Sequence, residues 1–296
     1  MNYSMKSKRW ALLFVLPFVA CFILFWLAPL VYGIFISLFK WNIASGNNGF
    51  VGLDNYKAIL TSGTIYNKLF INGLKNTFIF VLLSVPPLLL VSLGLALIIN
   101  YLPSRWKTVY RTVFFMSYSV SVTAVSAIFL WLFNGNGGFV NNVLMSAGMD
   151  KPIMWLNTQP YAWITILITT IWWTIGFNMM LFLNAIDEVD EQLYEAAGLD
   201  GAGAFKKFWY VTFPEIRNIS IFIMITTVIA SFNLYGQTKL ITAGGPEQST
   251  SSLIMNIQQT VFDMNQLGIG SAMAILMGLI MMFVTGAQYW LSYRNQ

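Results

Sequence analysis

Six long stretches of the chain contain no Asp, Glu, Lys or Arg: residues 10–39, 76–104, 112–149, 152–186, 218–238 and 264–293. A helix needs roughly 20 mostly apolar residues to cross a bilayer, and every one of these stretches has room for it. In lipid each backbone amide must find its partner inside the segment, so a helix is the form the stretches take. Trimmed at their polar flanks, the predicted spans are 11–38, 77–99, 108–133, 161–185, 217–238 and 270–292. The pattern describes an all-α integral membrane protein in which residues 1–296 form one six-helix transmembrane domain, with no linker or internal repeat. Pro86-Pro87 fall inside the second span and predict a kink, because two amide donors are missing there. Ser45–Gly49 and Asn134–Gly138 are rich in Gly and Asn and read as outer turns.

Composition sharpens this. Of 296 residues 57% are apolar and 9% charged, against roughly 25% charged in soluble domains. A soluble enzyme and a disordered chain are excluded. Sixteen Lys and Arg against eleven Asp and Glu leave a net charge of +5, too little for a nucleic-acid binder. Lys6, Lys8 and Arg9 precede the first apolar run, but that run is far longer than the 7–15 residues of a signal peptide's core. It reads as a retained helix with a cytoplasmic N-terminus, and six crossings return the C-terminus to the same side. This topology puts ten of the sixteen cations inside, as the positive-inside rule requires. Trp10, Trp26, Trp41, Trp106, Trp131, Trp155 and Trp290 fall mostly at expected headgroup depth.

The rare residues remove most chemistry. There is no histidine, and Cys21 is the single cysteine. The chain therefore lacks the commonest general base and metal ligand, and Cys21 reads as a small buried hydrophobe. Gly201-Ala-Gly-Ala-Phe-Lys206 is the nearest string to a phosphate-binding loop and lacks its second Gly-Lys pair. No catalytic residue, metal site or cofactor is expected on this chain.

The informative segment lies between the fourth and fifth spans. Six of the eleven acids fall within fourteen residues of it: Asp187, Glu188, Asp190, Glu191, Glu195 and Asp200. Leu193, Ala196, Ala197, Phe205, Phe208 and Trp209 interrupt the polar run. Ala and Glu favour helix, Gly201 suits a helix end and Pro214 a first turn. The loop 187–215 therefore predicts two short helices meeting at Asp200-Gly201. A helical hairpin with apolar positions, held in water, needs something to cover them.

Glu195-Ala-Ala-Gly-Leu-Asp200-Gly-Ala202, followed by Phe205 and Phe213-Pro214, resembles the EAA loop of binding-protein-dependent ABC importer permeases. The family pattern is EAA, three residues, Gly and a downstream Pro. The form with Asp200-Gly201-Ala202 is similar to the carbohydrate-importer subfamily of the maltose and multiple-sugar type. Phe50-Val-Gly-Leu-Asp-Asn-Tyr56, Trp155-Leu-Asn157 and Leu240-Ile-Thr-Ala-Gly-Gly-Pro246 resemble further stretches of that subfamily, so the resemblance runs from the first span to the last.

The resemblance implies a type I importer transmembrane domain with a cytoplasmic coupling helix, in a bacterial cell membrane. It also implies partners: a second, homologous permease, two cytoplasmic ATPase subunits that carry ATP and Mg, and an extracellular or periplasmic solute-binding protein. Glu195, Ala196, Ala197, Asp200, Gly201, Ala202, Phe205 and Pro214 are the residues it assigns to ATPase coupling. Such coupling works on a packed bundle with two arrangements. Gly268, Ala272, Gly278 and Gly286 in or beside the last span are small enough for close helix contacts.

Apart from tyrosines and Cys21, the spans hold no ionisable side chain between their ends, where Arg111 and Arg217 lie. A proton relay or a charged substrate normally needs Asp, Glu or His within the membrane, so a neutral polar solute moved by outside energy is expected. Sugars are gripped by amides, hydroxyls and aromatic faces. Candidate pathway residues are Asn233, Gln237 and Tyr235 of the fifth span, Trp172, Trp173 and Asn178 of the fourth, and Tyr118 of the third, with Ser119 and Ser121 beside it. On a continuous fifth helix Ser220, Thr227, Ser231, Tyr235 and Thr238 form one stripe, and Thr226, Asn233 and Gln237 another on the far side. Ser and Thr can bond the preceding turn, whereas Asn233 and Gln237 are expected to need partners elsewhere. Three alternatives remain at this point: a phosphorylated solute such as glycerol phosphate, sodium coupling through backbone carbonyls, and a membrane-embedded enzyme, which would need a reactive pair the spans do not supply.

Overall fold

The computed structural model describes residues 5–294; the side chains of residues 5–12 and of Tyr293, and so the anchoring expected of Trp10, lie outside the described residues. Among the described residues four helices are long and apolar enough to cross a membrane singly, and two bent pairs bring the number to as many as six.

The first span runs from Leu13 to Ser37 and passes through a π turn at Ile23–Leu27. None of its most apolar window is buried within the chain. Cys21 is accordingly exposed, which corrects its reading as a buried residue. The second span belongs to a helix of 36 residues, Ile65–Asn100, about 54 Å long. It begins well before residue 77 because Asn67, Lys68, Asn72 and Lys75 continue the helix beyond the apolar segment. The helix is unbroken at Pro86-Pro87, as membrane helices allow.

The third and fifth spans depart most from expectation. The third is two helices, Ser104–Tyr118 and Val122–Leu132, bent by 92°. Ser121 caps the second of them, its hydroxyl accepting from the Ala124 amide at 3.3 Å. The fifth helix, Arg217–Phe232, meets the segment Ala204–Glu215 at a 70° bend and stops at Asn233. Leu234 and Tyr235 are non-helical, and a π turn at Thr238–Thr242 follows. The fourth helix, Tyr161–Asp187, and the last, Leu267–Tyr293, are continuous.

The chain forms two compact units, Met1–Phe70 with Asn256–Leu279, and Ile71–Met255 with Ile280–Gln296. In the first, strands Phe39–Asn42 and Gly46–Phe50 pair antiparallel, where turns alone were expected. Gly46 at φ +74° and Gly49 at φ +115° supply conformations that other residues resist. Asn55 fixes the hairpin's root, its amide donating to Ser37 O at 2.7 Å and Phe39 O at 2.9 Å. The second unit packs Ile99, Met179, Phe182, Leu183, Ile186 and Ile223 into one core cluster. That core ties together the end of the second helix, the end of the fourth and the start of the fifth.

Candidate functional site

The two broken spans meet the fourth helix. Tyr118, at the end of its helix, stacks on Phe177 at 5.0 Å and on Trp173 at 6.3 Å between ring centroids. Trp173 is oriented by its indole N–H, which donates to Val120 O at 2.9 Å. Gly176 lets the two helices touch: a Cβ there would collide with the Phe114 carbonyl. Gly236 serves the same purpose after the fifth-helix break, where a Cβ would lie 2.7 Å from Val122 Cγ2.

These contacts enclose a cavity of about 490 Å³. Tyr118, Trp173, Asn178, Asn233, Tyr235 and Gln237 all line it, so six of the seven expected pathway residues come together. Trp172 does not: it is exposed, and its ring packs against Phe129 at 5.5 Å. Ser119 and Ser121 are also absent from the lining. The two-stripe expectation is corrected by the break at Asn233. Thr226, Thr227, Ser231, Asn233, Tyr235 and Gln237 all reach the one cavity, because Tyr235 and Gln237 no longer follow the helical rotation. Ser220 lies apart, bonded to Ile216 O at 2.9 Å.

Asn178 is buried, and its amide donates to Thr227 Oγ1 at 3.1 Å. Asn233 donates to Ile229 O at 2.9 Å, so it satisfies itself on the preceding turn, against expectation. Gln237 is different. It is only 7% exposed, yet its side chain makes no hydrogen bond among the described residues. The hydroxyls of Tyr118 and Tyr235 are likewise unbonded among those residues. Among the described residues no Asp, Glu, Lys or Arg lines the cavity. Thr170 and Thr174, which do, were missed. With Asn178 they recur every four residues on one helix face, a polar stripe that helical periodicity reveals.

After the fourth helix, Glu191–Leu199 is a helix capped by Asp190, whose carboxylate accepts from the Gln192 amide at 2.9 Å. Its other end closes as a Schellman motif. The Ala202 amide reaches Ala197 O at 2.9 Å, and the Gly201 amide reaches Gly198 O at 3.0 Å. Gly201 has φ +75°, a conformation that glycine adopts without cost. The returning arm, Ala204–Lys207, a π turn at Phe208–Thr212 and Phe213–Glu215, contains Pro214 in its last helical turn. The arms are stapled by Tyr194 Oη and Thr212 Oγ1, 2.8 Å apart. Glu195 and Asp200 make no ion pair among the described residues. Leu199 is 91% and Phe205 77% exposed, so the tip of the hairpin is apolar and uncovered within this chain.

Comparison with known proteins agrees with this geometry. Residues 89–295 match the family described as binding-protein-dependent transport system inner membrane component. The sulfoquinovosyl glycerol transport system permease protein of Agrobacterium fabrum is 31% identical over 95% of this chain and 90% of its own length. The arabinooligosaccharides transport system permease protein of Bacillus subtilis is 28% identical over 96% and 88%. Among solved structures, a chain of a bacterial alginate ABC transporter, in complex with an alginate pentasaccharide-bound periplasmic protein, superposes with a TM-score of 0.84. It covers 98% of this chain and 96% of its own at 20% identity, a likeness of fold. The chain is a multi-pass ABC transporter permease and belongs to the family of binding-protein-dependent transport system inner membrane components.

Proposed function

We propose that this permease forms half of the translocation pathway of an ATP-driven carbohydrate importer and that its cavity receives a neutral oligosaccharide. One observation carries the reading: Gln237, Tyr118 and Tyr235 present unbonded polar groups to a charge-free cavity walled by Trp173 and Phe177. These groups are free to bond a sugar's hydroxyls while its ring face lies on an aromatic. A phosphorylated solute is disfavoured, because it calls for a cation and none lines the cavity.

A second permease completes the pathway, and an extracellular binding protein delivers the sugar. Two ATPase subunits, which carry the ATP and Mg, dock on the hairpin that holds Glu195, Ala196, Ala197, Asp200, Gly201, Ala202, Phe205 and Pro214. The exposed Leu199 and Phe205 support a docked partner there, with Glu195 and Asp200 free to meet its cations or amides. Docking places this face, and with it both termini, in the cytoplasm.

A cysteine at Ala197, crosslinked in membranes from the native host, tests the docking. Recovery of an ATP-binding subunit is expected; crosslinking to lipid or to nothing at all contradicts it. Uptake assays with labelled neutral oligosaccharides and with sugar phosphates then test the substrate class. Only the former are expected to be ATP-dependent cargo.

A further inference from the structure

Asp187 occupies a poor position for an acid. It is the last residue of a 27-residue helix, where the dipole already concentrates negative charge. Lys107 and Arg111 are placed equally poorly, as like charges one turn apart on the helix Ser104–Tyr118. Each defect is relieved by the other. Lys107 Nζ bonds Asp187 and also Asn100 Oδ1 at 2.9 Å. Arg111 Nη2 bonds Asp187 Oδ2 at 2.6 Å and lies 3.5 Å from Asn184 Oδ1. The three side chains are between a fifth and a third exposed, so the cluster is screened less than a surface pair.

The same two helices are joined twice more along an antiparallel line. Gly176 meets the backbone at Phe114 and Phe115. Further on, Tyr118 stacks on Trp173 and Phe177, and the Trp173 indole bonds Val120 O. From Trp173 to Asp187 is about 21 Å along the helix axis. One end of this paired element is the cavity wall. The other lies four residues before Glu191, where the hairpin helix begins.

We propose that Ser104–Tyr118 and Tyr161–Asp187 move as a single lever, and that Asp187 is the positioning residue that binds the pair at its inner end. A displacement of the hairpin then carries Tyr118 and Trp173 together and reshapes the cavity. This rests on the coupling role proposed for the hairpin. Without the Asp187 clamp the fourth helix moves alone, and ATP hydrolysis continues with little transport.

The test uses the complete importer in proteoliposomes, in a Cys21→Ser background. Asp187→Asn, and separately the pair Lys107→Cys with Asp187→Cys, are expected to lower solute transported per ATP by about tenfold, while Asp187→Glu stays near the parent. Bridging the two cysteines with a short bismaleimide is expected to restore the ratio to within about twofold of the parent, a recovery that a merely stabilising ion pair would not show. An unchanged ratio in both unbridged variants overturns the proposal. So does a bridged protein that fails to recover. Capture of the ATPase by a cysteine at Ala197 is measured alongside: capture with an unchanged ratio refutes the lever alone, whereas loss of capture refutes the coupling role itself.

Discussion

Gln237 and Asn178 look interchangeable in the sequence, each an amide in an apolar span, yet their surroundings give them opposite parts. Asn178 is committed to Thr227 at 3.1 Å. Asn178→Leu strands a buried hydroxyl and is expected to cost about 1 kcal/mol of stability, read as a lower unfolding temperature in detergent. Gln237 has no such bond among the described residues. Gln237→Leu is expected to leave the unfolding temperature in place and to reduce the apparent affinity for solute by about fivefold. Equal losses of stability in both variants would show that Gln237 is structural. Gly176 makes a third case. Its position against the Phe114 carbonyl leaves no room for a side chain, so Gly176→Val is expected to destabilise by about 2 kcal/mol or more, measured in the same melts.

At the scale of elements, apolar composition locates segments that belong in lipid but says little about whether the helix within them is continuous. The third and fifth spans were legible as membrane segments, and their breaks at Ser119–Ser121 and Asn233–Tyr235 were not. The breaks carry local signals nonetheless: Ser121 is a good N-cap, and Asn233 a residue that ends helices readily. In an apolar context those signals compete with a strong prior for unbroken helix. The β-hairpin was illegible for another reason: its strand Gly46–Phe50 is mostly Gly and Asn, which read as a turn, although it pairs with Phe39–Asn42 just before it. The helical hairpin after the fourth span was legible almost entirely, because its caps lie within it: Asp190 at the start, Gly201 and the Ala202–Ala197 bond at the turn. Gly201→Pro cannot adopt φ +75°. It is expected to abolish uptake while membrane insertion, followed by fractionation and protease protection, remains normal. Uptake at the parental rate in that variant would remove the rigid turn from the mechanism.

For the whole molecule, the cavity residues were individually legible because amides, hydroxyls and aromatics stand out against Leu, Ile and Val. Their convergence was not legible, since it depends on two bent spans and on the close approach that Gly176 permits to the Phe114 backbone and Gly236 to the Val122 side chain. What the molecule provides is a passage and a handle. Among the described residues no carboxylate lines the cavity to carry protons, the chain has no phosphate-binding loop, and in the proposed function the energy for transport comes from another subunit. Reconstitution tests this most directly. The purified chain is placed in liposomes alone, and in parallel with its partner permease, ATPase subunits and binding protein, and uphill solute accumulation is followed with and without ATP. Accumulation is expected only in the complete assembly with ATP. Accumulation against a gradient by the chain alone would contradict the account.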